Sequence, residues 1–269
     1  MINNTGALIP ATPEPVTEKR VWGFWSTVGF GAVILVGFVI AQVVVLSIAI
    51  FAMASDQFRQ LAGAPQYEDI FNIISDTLNA NLGLLQSIAT IFSGIVGTGL
   101  VFVFVRARRR ASIPEYLGLR KMSWKKVLLV FAVVIGFIVL ADGLYILLGE
   151  PTSEQIMFDI YATSVWPPLF WIAVVVFAPL FEEALFRGFL FEGFRQSRLG
   201  AIGAVVLTAF AWALLHSLQY NIYSILWIFV LGIVMGIVRV KTSSIWSTFI
   251  MHAFVNFIAT LGVALNLPY

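Results

Sequence analysis

The sequence predicts an all-α polytopic membrane protein, a helical bundle of about seven transmembrane helices with a cytoplasmic N-terminus. Hydrophobic residues make up 60% of its 269 positions and charged residues only 11%, against the roughly 25% charged content of an ordinary soluble domain. The apolar residues fall in continuous runs and do not alternate, the pattern of spanning helices and not of a barrel. Basic residues collect in every other connection, as the positive-inside rule requires of cytoplasmic loops. Cysteine is absent, which removes disulfides, thiolate nucleophiles and cysteine-ligated metal sites.

Residues 1–20 are polar and rich in Pro, Thr and Asn, and read as a disordered cytoplasmic tail. Seven apolar segments follow, Val28–Met53, Leu82–Val105, Val127–Leu148, Trp166–Phe191, Ala201–Leu215, Ile222–Val238 and Ile245–Leu265. The first is longer than the roughly 7–15 residues of a secretory apolar region, so it reads as an uncleaved helix. Each approaches or exceeds the roughly 17–25 residues needed to span, except the short fifth. Lys19 and Arg20 precede the first segment. Arg106, Arg108, Arg109, Arg110, Arg120, Lys121, Lys125 and Lys126 fill the second connection, Arg195 and Arg198 the fourth, and Arg239 and Lys241 the sixth. The alternate connections hold Asp56, Glu68, Asp69 and Asp76, or Glu150, Glu154 and Asp159, with Arg59 their only basic residue. Trp22, Trp25, Trp124, Trp166 and Trp246 lie near segment ends, where interfacial anchors belong. Gly232 and Gly236 form a GxxxG, the signature of a close-packing helix face.

Against this apolar background stand Glu182, Glu183 and Arg187, then His216, then His252 and Asn256; the two histidines are the only ones in the chain. Ionisable groups at membrane depth are costly and mark functional sites. Glu182 and His216 are about equally far from the turn near Leu199 and Gly200, so at about 1.5 Å per residue they come level on an antiparallel pair. His252 climbs to a similar depth from a separate turn near Lys241. Glu183 and Arg187, four apart, share a helix face and neutralise each other. Glu182 points away and is left without that partner, as suits a general base. Pro179, about a turn earlier, removes a backbone hydrogen bond and predicts a kink. His252 and Asn256 also share a face, and side by side they can offer two hydrogen bonds to an oxyanion. Singly, each group has a plainer reading: a packing ion pair for Glu183–Arg187, an interhelical hydrogen bond for His216 or Asn256. Their joint occurrence favours hydrolysis within the bilayer.

At these residues the sequence resembles the CPBP family, the CAAX proteases and bacteriocin-processing enzymes also called the Abi family. Its EExxxR pattern is matched by Glu182-Glu183 through Arg187, followed by Gly188-Phe189-Leu190, and its HxxxN pattern by His252 through Asn256. In its FxxxH pattern Trp212 replaces the usual phenylalanine before His216. The resemblance covers about residues 165–265. It divides the chain into a tail (1–20), N-terminal membrane helices without a family signature (21–160) and a CPBP-like catalytic core (161–269). It implies an intramembrane endopeptidase that hydrolyses a hydrophobic or lipidated, CAAX-like polypeptide.

Carried over by position, the resemblance makes Glu182 the activator of a water with help from His216. His252 and Asn256 become the oxyanion site, and Glu183 with Arg187 the supporting pair. Two chemistries stay open. Glu182, His216 and His252 can supply three ligands to a catalytic zinc, or a metal-free glutamate–water mechanism can operate with no cofactor. The expected partners are membrane lipid and a polypeptide substrate, with no nucleic acid, in a bacterial plasma membrane. The competing class is a non-proteolytic membrane scaffold or bacteriocin-immunity protein with the same fold.

Overall fold

The computed structural model describes residues 21–61, 66–108, 111–149 and 155–265. The expected tail (1–20) lies outside them, as do Arg109, Arg110, Glu150 and Glu154. Among the described residues every regular element is helical: α1 (Phe24–Met53), α2 (Ser55–Gln60), α3 (Tyr67–Ala80), α4 (Leu82–Ala107), α5 (Ile113–Leu117), α6 (Trp124–Leu148), α7 (Gln155–Ala162), α8 (Pro167–Arg195), α9 (Gly200–Leu215), α10 (Ile222–Thr242) and α11 (Ile245–Ala264).

Six of these, α1, α4, α6, α8, α10 and α11, are long and apolar enough to cross a membrane. The expected seventh span is α9, with 16 residues. At about 1.5 Å per residue it falls short of a hydrocarbon core some 30 Å thick. The connections are also less irregular than their polarity suggests. α2 and α3 lie between the first two spans, and α3 opens with a capping box in which Gln66 and Asp69 each bond the other's backbone. Such boxes satisfy amides that the first helical turn leaves free.

Small residues and aromatic faces set the helix packing. α1 packs along α4, where Trp22 Nε1 donates to the Phe104 carbonyl at 2.8 Å and Arg108 Nε to that of Val21 at 3.2 Å. α10 lies against α9 through its GxxxG: an ideal Cβ at Gly232 would stand 2.9 Å from Ala209 Cβ, and one at Gly236 2.8 Å from Val205. Phe38 of α1 stacks on Phe181 of α8 with ring centroids 4.2 Å apart. α8 thereby sits among α1, α4, α9 and α11, and its second half, from Glu183 to Phe194, is buried throughout.

α8 is not a uniform α-helix. It widens into π geometry at Ala173–Phe177 and again at Glu183–Leu190. π turns within α-helices are uncommon and gather at functional sites.

The connection carrying α5 is clamped onto the turn between α10 and α11. Ser112 caps α5 by accepting from the Glu115 amide, and Gly118 ends it with φ +70°. Gly118 O accepts from the Ile245 amide at 3.0 Å, Ser244 Oγ donates to Arg120 O at 2.6 Å, and Arg239 Nη2 donates to Leu117 O at 3.3 Å. An alanine at Gly118 would be strained by its positive φ, and its Cβ would collide with the Arg239 guanidinium. Gly118→Ala is expected to destabilise the fold by about 1–3 kcal/mol, read as a lowered Tm in detergent; an unchanged Tm would show that the clamp contributes nothing.

Candidate active site

The site forms where the second π segment of α8 faces α9 and α11. Glu183 and Arg187 lie on one side of α8 as the spacing predicts, with Arg187 Nη1 3.3 Å from Glu183 Oε1. Both side chains are almost completely buried, at 1% and 0% exposure. The pair is not isolated. His252 Nδ1 approaches the same Oε1 at 2.9 Å, and the Arg187 guanidinium lies 4.3 Å from the centroid of the Trp212 ring, a cation–π distance. One carboxylate oxygen thus ties α8 to α11, while Arg187 carries the contact on to α9.

Because a carboxylate only accepts, His252 donates through Nδ1, which turns Nε2 toward Glu182. That nitrogen stands 3.9 Å from Glu182 Oε2. The gap is too long for a hydrogen bond and short enough for one water to touch both atoms. Glu182 is the more open of the two acids, its side chain 20% exposed against 1% for Glu183. The adjacent carboxylates therefore separate by environment: one is locked in an ion cluster, the other is partly open.

Glu182 is not left without a partner, as the spacing suggested. The indole Nε1–H of Trp212 donates to its Oε2. A phenylalanine at this position has no N–H to offer, so the replacement changes the chemistry of the site while keeping an aromatic ring. Trp212 also meets both histidine rings edge-on, at centroid distances of 5.3 Å to His216 and 5.1 Å to His252. Trp212 thus touches Glu182, Arg187, His216 and His252, a role the sequence signals only as the aromatic four residues before His216.

His216 stands at the C-cap of α9, half-buried. Its Nδ1 lies 2.9 Å from the Trp212 carbonyl. A carbonyl only accepts, so this nitrogen carries the proton and Nε2 is left as an acceptor. Asn256, also half-buried, directs Nδ2 to the Val174 carbonyl at 2.9 Å. Five of the six expected site residues thus gather around Trp212 and Glu183, and Asn256 faces the first π segment.

A three-ligand zinc site needs Glu182, His216 and His252 to converge on one point. Among the described residues no three His, Asp or Glu side chains gather closely enough to hold a metal ion. One Glu182 oxygen is taken by the indole, and the ring of His216 packs edge-on against Trp212. The donor set in this arrangement does not fit that site.

No curated protein and no solved structure matches the chain. Residues 164–258 do match a family model, described as Type II CAAX prenyl endopeptidase Rce1-like; the match runs from just before α8 into α11, takes in all six site residues, and agrees with the resemblance carried by the three motifs.

Proposed function

We propose that the chain is an intramembrane endopeptidase in which Glu182 activates a water for attack on a peptide bond of a hydrophobic or lipidated polypeptide. The observation that carries this reading is the pairing of a partly open carboxylate, Glu182, with a histidine whose far nitrogen is fixed by a second, buried carboxylate. The match to the CAAX endopeptidase family over residues 164–258 supports the reaction class.

In this reading Trp212 holds Oε2 of Glu182, the oxygen that also lies nearest His252, and the carboxylate takes a proton from water. The resulting hydroxide attacks the carbonyl carbon, and the carbonyl oxygen gains the negative charge. His252, held at Nδ1 by Glu183, faces that oxygen with Nε2 and donates to it when this nitrogen also carries a proton. Glu182 then passes its proton to the departing amine, so the reaction ends with the site restored. His216, with Nε2 as an acceptor, is a second partner for the water. Arg187 balances the Glu183 charge, so two acids and one basic residue share a dry site without a large net charge.

Location favours an apolar substrate. Glu182 is near the middle of the 29-residue span Pro167–Arg195, so the scissile bond must reach well into the bilayer. A polar peptide would have to carry its polar and charged side chains to that depth, which is costly. A chain bearing a lipid, or one that is itself apolar, enters from the membrane at lower cost.

Purified protein in detergent, given prenylated and unmodified hydrophobic peptides, tests the reading. Glu182→Gln keeps the size and should abolish turnover while expression and Tm stay near wild type; turnover by this variant would refute the role of Glu182. Trp212→Phe keeps a ring but removes the N–H. Loss of a hydrogen bond to a charged group of about 1.5–3 kcal/mol should lower kcat by at least ~10-fold without loss of fold. An unchanged kcat would show that the indole does not hold the base.

A further inference from the structure

Asn256 has a partner that its position near His252 does not explain. The Val174 carbonyl to which it donates lies in the first π segment of α8, Ala173–Phe177. In π geometry an amide bonds to the carbonyl five residues back, and the Ala178 N–H does so, reaching Ala173 O. The next amide in that register would serve Val174. It belongs to Pro179, which has no N–H. A carbonyl with no donor is costly where no bulk water reaches, and the Asn256 amide supplies the missing hydrogen bond from another helix at 2.9 Å.

The π turn itself answers the same proline. In a regular α-helix the Pro179 ring would press on the carbonyl of Val175, four residues back, and the wider turn relieves that contact. On its other side the turn is backed by α4, where an ideal Cβ at Gly94 would stand 3.0 Å from the Phe177 carbonyl oxygen. The second π segment is braced similarly: the Arg187 carbonyl accepts from Arg239 Nε of α10 at 3.1 Å. Along α11, His252 bonds Glu183 and Asn256, one turn on, bonds Val174. These two contacts bracket Pro179 and Glu182.

We propose that Asn256 is a positioning residue: its amide replaces the N–H that Pro179 lacks, holds the π turn open, and so fixes where Glu182 stands. The role differs from donation to an oxyanion, which the HxxxN spacing by itself suggests. It rests on the peptidase reading for its activity readout only, since the contact also contributes to folding.

The test is a double-mutant cycle on the full chain in detergent: wild type, Asn256→Ala, Pro179→Ala and the double variant, each read by Tm and by kcat and KM on the peptide that wild type cleaves. With Pro179 in place, Asn256→Ala should lower Tm and lower kcat by about 10-fold, the equivalent of one buried carbonyl left unpaired, with KM little changed. In the Pro179→Ala background the residue at this position can itself donate to Val174, so the further loss should be under about 2-fold with little change in Tm. Equal losses of kcat in both backgrounds, with Tm unmoved, would overturn the proposal and place the amide on the substrate. Should Pro179→Ala fail to fold, Asn256→Leu decides: it keeps the size, adds no charge and removes the donor, so Tm should fall together with kcat, and kcat lost at a wild-type Tm would overturn the proposal. If no variant and no wild type cleaves any peptide, the peptidase reading fails separately. The Tm values then decide for Asn256, non-additive shifts supporting its role and additive ones overturning it.

Discussion

One oxygen of Glu183 joins α8 to α11 at the centre of the candidate site. It is contacted by Arg187 from its own helix and by His252 from α11, in a setting where none of the three side chains is more than about one-twentieth exposed. Charges removed from water to this degree are tolerated only when paired, and removing one partner leaves an uncompensated ion that costs about 3–5 kcal/mol. The cluster therefore fixes how α8 and α11 approach. It also determines which nitrogen of His252 carries the proton, and hence which nitrogen turns to Glu182. In the proposed mechanism the supporting pair and the reacting pair are not separate features: the first orients the second.

The backbone of α8 is shaped to serve that cluster. Two π segments flank the stretch from Ala178 to Glu182, and each presents a carbonyl to a side chain of another helix, Val174 to Asn256 and Arg187 to Arg239. Irregular backbone within a membrane is stable only where neighbouring protein satisfies it, and here polar side chains on α10 and α11 do so. The same Arg239 reaches Leu117 in the α5 connection, so the clamp at the basic end of the bundle is continuous with the core of the site.

Much of this was legible in the sequence, and the exceptions have a common cause. The spans were visible as uninterrupted apolar runs, and the Glu183–Arg187 pair followed from a spacing of four, which keeps two residues on one face even in a widened turn. The GxxxG of α10 predicted a close approach and makes one. Trp212 could not be assigned as the donor to Glu182, because that contact depends on how α9 is rotated about its axis, which no local pattern records. Asn256 was placed correctly on the face of His252, but its partner depends on a π turn that the sequence announces only as a proline. The short helices α2, α3, α5 and α7 were read as connections because their polarity outweighs their periodicity. α9 was counted as a span on its apolar character, although its shortness was already visible in the sequence.

The central claim is that Glu182 drives peptide hydrolysis in the membrane, and the termini of membrane proteins report on it directly. Mass spectrometry would compare these termini in cells carrying the wild-type chain and in cells carrying Glu182→Gln at equal abundance. New termini found only with the wild type, within or beside apolar or lipid-bearing segments, are the predicted result and would name the substrate. Identical termini in both, under conditions where the substrate is made, would contradict the account and favour a scaffold or immunity role for the same fold.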